Sequence, residues 1–141
     1  GAQHFLHMDA HFNNILTDGE QLYYSDFGLA LSDKFMLSTI EKHFAKKNAD
    51  YDFASASSNL MHTVLTGYLG EEDWDTTLAQ FTHSDFGTTI PSRVKGILSK
   101  HHGVAVKMYS FYKSIQRDKS TPFTSSGLKE LLQKTMQGHH K

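Results

Sequence analysis

Reactive side chains crowd into one short stretch of this 141-residue chain, His7-Met8-Asp9-Ala10-His11-Phe12-Asn13-Asn14, and Ser25-Asp26-Phe27-Gly28 follows shortly after. Phosphoryl transfer to a hydroxyl needs a group that accepts the nucleophile's proton and hard oxygen ligands for the Mg²⁺ that bridges nucleotide phosphates. Asp9 has the chemistry for the first task, and Asn14 with Asp26 for the second. The same residues admit a metal-dependent hydrolase or oxygenase. His7, Asp9 and His11 alternate, so on a strand they would share one face and could hold zinc or iron. That reading leaves Asn14 and Asp26-Phe27-Gly28 without a task. A third possibility is a structural loop in which these residues only cap and turn.

The elements that must position these groups are legible in outline. Ile15-Leu16-Thr17 and Leu22-Tyr23-Tyr24-Ser25 flank Asp18-Gly19, a dipeptide that tolerates the positive φ of a tight turn, so a short hairpin over 15–25 is expected. Such a hairpin would bring the oxygen donors of Asn14 and Asp26 back onto one metal. Ser38-Thr39-Ile40-Glu41 has the form of a capping box and starts a helical body predicted over 38–137. Phe53, Ala56, Leu60, Met61, Val64, Leu65 and Tyr68 recur at spacings of three and four and read as a core stripe. Ile90, Val94, Ile97 and Leu98 do the same, then Val104, Met108, Phe111, Tyr112 and Ile115, then Leu128, Leu131, Leu132 and Met136. Loops are expected over 70–75 and 118–126, and Pro91 suits a first helical turn.

Other residues favour plain structural roles. The repeat of Ser25-Asp26-Phe27-Gly28 as Ser84-Asp85-Phe86-Gly87 follows a helical stretch rather than a strand, which places Asp85 in an interhelical turn. His62 reads as a core histidine, His101-His102 and His139-His140 as helix-end residues suited to the dipole, and Trp74 as a loop anchor that could also meet a cation.

Composition narrows the class. With 38% hydrophobic residues, 21% charged and only 2 Pro, the chain can build a core in a single domain. No apolar run approaches transmembrane length, no charged-then-apolar leader opens the chain, and Cys is absent. Thiol chemistry and Cys-ligated metals are thereby excluded, and a cytoplasmic location without membrane contact is the default expectation. The net charge of −1 conceals a split, −9 over residues 1–87 and +8 over 88–141. The basic residues of the second part lie on all sides of predicted helices without aromatic partners, which reads as solvated surface rather than a nucleic-acid face. The acidic part would suit a cationic acceptor, or it is simply exposed acid.

His7, Asp9, Asn14 five residues on, and Asp26-Phe27-Gly28 after a hairpin-length spacer together resemble the catalytic segment of the protein-kinase-like superfamily. The resemblance implies a mainly α chain with a short β-hairpin, the helical C-terminal lobe of a kinase-like α+β fold, with catalytic loop 7–14, hairpin 15–25 and the Asp-Phe-Gly segment 26–28. It implies ATP and Mg²⁺ as cofactors and a hydroxyl-bearing small molecule or protein as acceptor. Asp9 would be the catalytic base, Asn14 and Asp26 the metal ligands, and His7, Phe27 and Gly28 structural support. His11 stands where typical protein kinases carry Lys, looks like the aminoglycoside and choline phosphotransferase branch, and would join Asp9 as a catalytic residue. Asp52 would correspond to an aspartate that tethers the catalytic loop, whereas the residues alone read Asp50 and Asp52 equally well as helix caps. Met8 replaces the arginine that many protein kinases use to receive an activation phosphate, and no Ala-Pro-Glu follows, so the resemblance implies the small-molecule branch or an atypical bacterial-style protein kinase. Only six residues precede His7 and no glycine-rich phosphate loop occurs. The resemblance therefore implies an absent N-lobe, little activity for this chain by itself, and a pseudokinase or binding lobe as the alternative.

Overall fold

The computed structural model describes residues 5–70, 73–83, 89–123, 125 and 127–137. The second Ser-Asp-Phe-Gly segment, Met136's side chain and His139-His140 lie outside what it describes. Helices dominate, and two small antiparallel sheets, each of two strands, carry the N-terminal part. β1 (Phe5–Leu6) pairs with β4 (Leu31–Ser32) in the register Phe5 to Ser32 and Leu6 to Leu31. β2 (Ile15–Thr17) and β3 (Leu22–Tyr24) form the expected hairpin, with Leu16 opposite Tyr23.

The turn between them is closed by Asp18. Its Oδ1 accepts the amides of Glu20 and Gln21 at 2.9 and 2.8 Å, while Oδ2 accepts the Tyr23 hydroxyl at 2.8 Å. Those bonds favour the carboxylate and hold Asp18 down to about 2. Gly19 takes the positive φ, at 95°, that the turn requires.

Five helices follow. In α1 (Thr39–Lys47) the capping box is complete: the Glu41 amide donates to Ser38 Oγ, and the Ser38 amide donates back to Glu41 Oε2 at 2.7 Å. α2 (Tyr51–Leu69) packs chiefly against α4 (Ser92–Arg117), with α3 (Trp74–His83) closing one end of that pair and α5 (Leu128–Gln137) the other.

The buried face of α2 keeps Met61 and Leu65, with Val64 packed beside them, from the stripe that spacing marks out, but is shifted at its ends. Ala54, Ser55, Ser57, Ser58, Met61 and Leu65 face inward, whereas Phe53 and Tyr68 are exposed. Small residues let the two long helices approach closely, and the hydroxyls stay paired. Ser55 Oγ lies 3.2 Å from the Tyr112 hydroxyl and Ser57 Oγ lies 3.1 Å from His101 Nδ1. Met61, Leu65, Leu78, Ile90, Leu98 and Ala105 make one cluster, against which Trp74 and Phe81 pack. Ala54, Val104, Met108, Leu128 and Leu132 make another, under the rings of Tyr51, Phe111 and Phe123.

Four further expectations need correction. α4 runs unbroken for 26 residues, so His101 and His102 are mid-helix residues rather than helix ends. His102 Nε2 lies 3.0 Å from the Leu78 carbonyl and its ring stacks on Phe81, tying α3 to α4. His62 is exposed, not a core residue, and meets Trp74 edge-on at 4.9 Å. Trp74 opens α3 and packs on the core rather than anchoring a loop, because the Asp73 carboxylate accepts the Thr76 amide and caps the helix there. Ile97, expected inside, is exposed at 44%. Among the described residues no helix is long and apolar enough to cross a membrane.

Candidate functional site

The site begins where β1 ends. His7 to His11 leave the strand as a loop, so the alternating His7, Asp9 and His11 do not share one strand face as the zinc or iron reading requires. Among the described residues no group of three His, Cys, Asp or Glu is placed to hold a metal ion.

The loop is pinned from below by α2. The His7 amide donates to Asp52 Oδ2 at 2.5 Å and the Met8 amide to Asp52 Oδ1 at 2.8 Å, so one carboxylate holds two consecutive amides across more than forty residues of chain. Charge-assisted bonds of this kind are the strong ones. They secure a backbone that Met8 alone would not adopt, since its φ is 65°, in the left-handed region that costs an L-residue about 1–2 kcal/mol. Asp50 stands at the N-cap position with helical dihedrals and no side-chain cap bond, so the tether falls to Asp52 and neither aspartate caps α2.

His7 is 2% exposed, and its Nε2 lies 2.9 Å from the Ser25 carbonyl. A carbonyl only accepts, so Nε2 carries the proton. The imidazole packs against Tyr24 and Phe27, both at 5.2 Å between centroids, and Phe27 meets Phe5 edge-on at 6.0 Å. His7 and Phe27 thus join the loop to the segment after the hairpin. Gly28 is less constrained: a Cβ there would come within 3.3 Å of Asp26 Oδ1, a tight approach rather than a clash with backbone.

Above this support, Asp9, His11 and Asn14 come together. A short 3₁₀ turn, Phe12–Asn14, follows His11 and buries Asn14 to 8% exposure. Asn14 Nδ2 donates to the Asp9 carbonyl and to Asp9 Oδ2, each at 3.0 Å. His11 Nε2 lies 3.5 Å from the same Oδ2, and the His11 amide donates to the Asp9 carbonyl at 2.8 Å. Asp9 is therefore oriented through one oxygen while Oδ1 has no partner among the described residues, and its side chain remains 39% exposed. The Ser25 amide donates to the Asn14 carbonyl at 2.9 Å, so Asp26 emerges one residue beyond the bond that closes the hairpin. Asp26 takes φ 57°, a left-handed conformation that Asp tolerates better than most residues, and its exposed carboxylate has only a 3.4 Å contact from the Gly28 amide.

Asn14 spends its NH₂ on Asp9, which leaves the carbonyl Oδ1 for a cation, and Asp26 offers a nearly unengaged carboxylate. Two hard oxygens of this type suit Mg²⁺, which takes its other ligands from phosphates and water.

Two residues at the site carry no signal in the sequence. Tyr51, at the start of α2, lies beneath the loop; burial first, then Tyr112 and the carboxylates of Asp52 and Asp9, pushes its hydroxyl well above the usual tyrosine range. Tyr24 covers the ring of His7. Neither spacing nor residue type marks them. Comparison with family models, with curated proteins and with solved structures gives no match to this chain.

Proposed function

We propose that this chain is the substrate-side, helical lobe of an ATP-dependent phosphotransferase of the protein-kinase-like superfamily, acting on a hydroxyl of a small molecule or protein. One observation carries the reading: the Asp52 carboxylate holds the His7 and Met8 amides and thereby presents Asp9, bonded to Asn14, on a strained loop. Strain of this sort persists where a geometry is over-determined by its surroundings, as reactive loops are. The match of residue types at His7, Asp9, Asn14 and Asp26-Phe27-Gly28 to the superfamily's motif supports the same reading.

Asp9 accepts the proton of the acceptor hydroxyl through Oδ1, while Asn14 and His11 hold Oδ2 and so fix the direction of that free oxygen. Asn14 Oδ1 and the Asp26 carboxylate hold Mg²⁺, whose chemistry there is to neutralise charge on the phosphates of ATP. His7 keeps the two halves of the site in register through Ser25 and Phe27.

The test is phosphoryl transfer from Mg²⁺-ATP by the full natural form of the protein. Asp9→Asn is expected to lower turnover at least about a hundredfold with nucleotide binding retained, the share usually carried by a positioned general base. Asp26→Asn is expected to lose Mg²⁺-dependent nucleotide affinity in calorimetry. Wild-type turnover by the Asp9 variant would overturn the assignment of the base, and unchanged affinity of the Asp26 variant would overturn the assignment of the metal ligand.

A further inference from the structure

A cleft of about 520 Å³ opens between β1, the segment leading out of β4 and the face of α1 that carries Lys42, Ala45 and Lys46. Its volume falls within the range of small-molecule sites. Phe5, Leu6, Leu37, Ala45 and Ala49 give it an apolar wall. Lys42 and Lys46, four residues apart on one face of α1, stand at its mouth with Asp33, leaving one net positive charge there.

Those lysines are out of keeping with their surroundings. Residues 1–87 carry −9, from 13 acids and only 4 bases, yet two of the four bases line this one cleft. Like charges at i and i+4 repel on a helix. Among the described residues neither ammonium has an ion-pair partner, and Asp33 does not neutralise them. An anion placed between them would relieve the repulsion while an attached apolar body covers the wall.

We infer that this cleft binds a small amphipathic anion, an apolar chain or ring ending in a carboxylate or phosphate, with Lys42 and Lys46 receiving the head group and Leu6, Leu37, Ala45 and Ala49 the body. The cleft shares β1 with the strand that leads into the Asp9 loop, but the inference does not depend on the phosphotransferase reading.

The test uses the full chain and three probes at concentrations below micelle formation: decanoate, decyl phosphate and the uncharged decanol. Amide chemical shifts are followed by two-dimensional NMR. Saturable shifts confined to residues around Leu6, Leu37 and Ala45–Ala49 are expected with at least one of the two anions, and which anion binds tighter identifies the head group. Decanol, and either anion with the exposed double variant Lys42→Gln/Lys46→Gln, should bind about tenfold more weakly, the loss of one charge-assisted contact. Ala49→Phe, which fills the cleft from an exposed position in the turn after α1, should abolish the shifts. Equal affinity for decanol and the anions, full affinity in the double variant, or no saturation by about 1 mM, the weak limit of useful affinity, would each overturn the proposal.

Discussion

The geometry at Asp52 and Met8 makes two expectations at the level of single residues. Removing the carboxylate leaves the His7 and Met8 amides without their acceptor, and each bond to a charged group is worth roughly 1.5–3 kcal/mol. Asp52→Ala should therefore cost about 3 kcal/mol in chemical denaturation, with the largest amide-shift changes at His7–Asp9 rather than along α2. A loss below about 0.5 kcal/mol, the size of an ordinary surface change, would show that the tether contributes little. At Met8 the order of helix and strand propensities should invert. With φ at 65°, Met8→Gly should be more stable than Met8→Ala by about 1 kcal/mol, because glycine alone occupies that region without penalty. Equal stabilities would mean that the loop relaxes to an ordinary conformation when the side chain is cut back.

At the scale of elements, the hairpin has a titratable lock. Asp18 is depressed to about 2 by the amides of Gln21 and Glu20 and by Tyr23, against an unfolded value near 3.9. A depressed carboxylate stabilises the folded form above its unfolded value, and that contribution disappears as pH falls through the folded one. The hairpin should therefore hold at neutral pH and loosen between about pH 4 and pH 2, read from the shifts of Gly19 to Gln21. Asp18→Asn should remove that dependence, whereas a hairpin transition unchanged in the variant would assign it to another group. The capping box of α1 responds in the same sense, since its bonds to Ser38 lower Glu41. α3 is joined to α4 by the Lys113–Asp75 ion pair, whose ammonium also lies over the ring of Tyr109 on α4 itself, an exposed arrangement worth little by itself. The His102 contact to Leu78 and Phe81 is the more buried link between those helices.

For the whole molecule, the decisive packing is α2 on α4, and it separates two residues that spacing treats alike. Met61 is fully buried and Phe53 is 43% exposed. Met61→Ala should cost about 2–5 kcal/mol, the usual range for emptying a core position, whereas Phe53→Ala should cost under about 1 kcal/mol. Equal losses by thermal or urea unfolding would place the buried face of α2 where the apolar spacing put it. The same arrangement accounts for Asp52, which shares the first turn of α2 with Tyr51 and is carried to the His7–His11 loop by that helix's position on the core.

Features formed by neighbours in the chain were readable from residue types alone, because their interactions close within a few residues. Asp18-Gly19 between two apolar triplets made the hairpin, and Ser38 with Glu41 made the start of α1. The hairpin between Asn14 and Asp26, and the closeness of Asn14 to Asp9, likewise follow from short separations in the chain. The choice of Asp52 over Asp50, the serine-lined face of α2, the unbroken α4 around His101 and His102, and the pairing of β1 with β4 were settled only by the fold. Each depends on groups many residues apart, and periodicity assigns a helix its faces without saying which face a partner helix covers. The sequence by itself determined which side chains could do chemistry; tertiary packing decided which carboxylate holds their loop, because a tether spanning forty residues exists only once α2 has docked on α4.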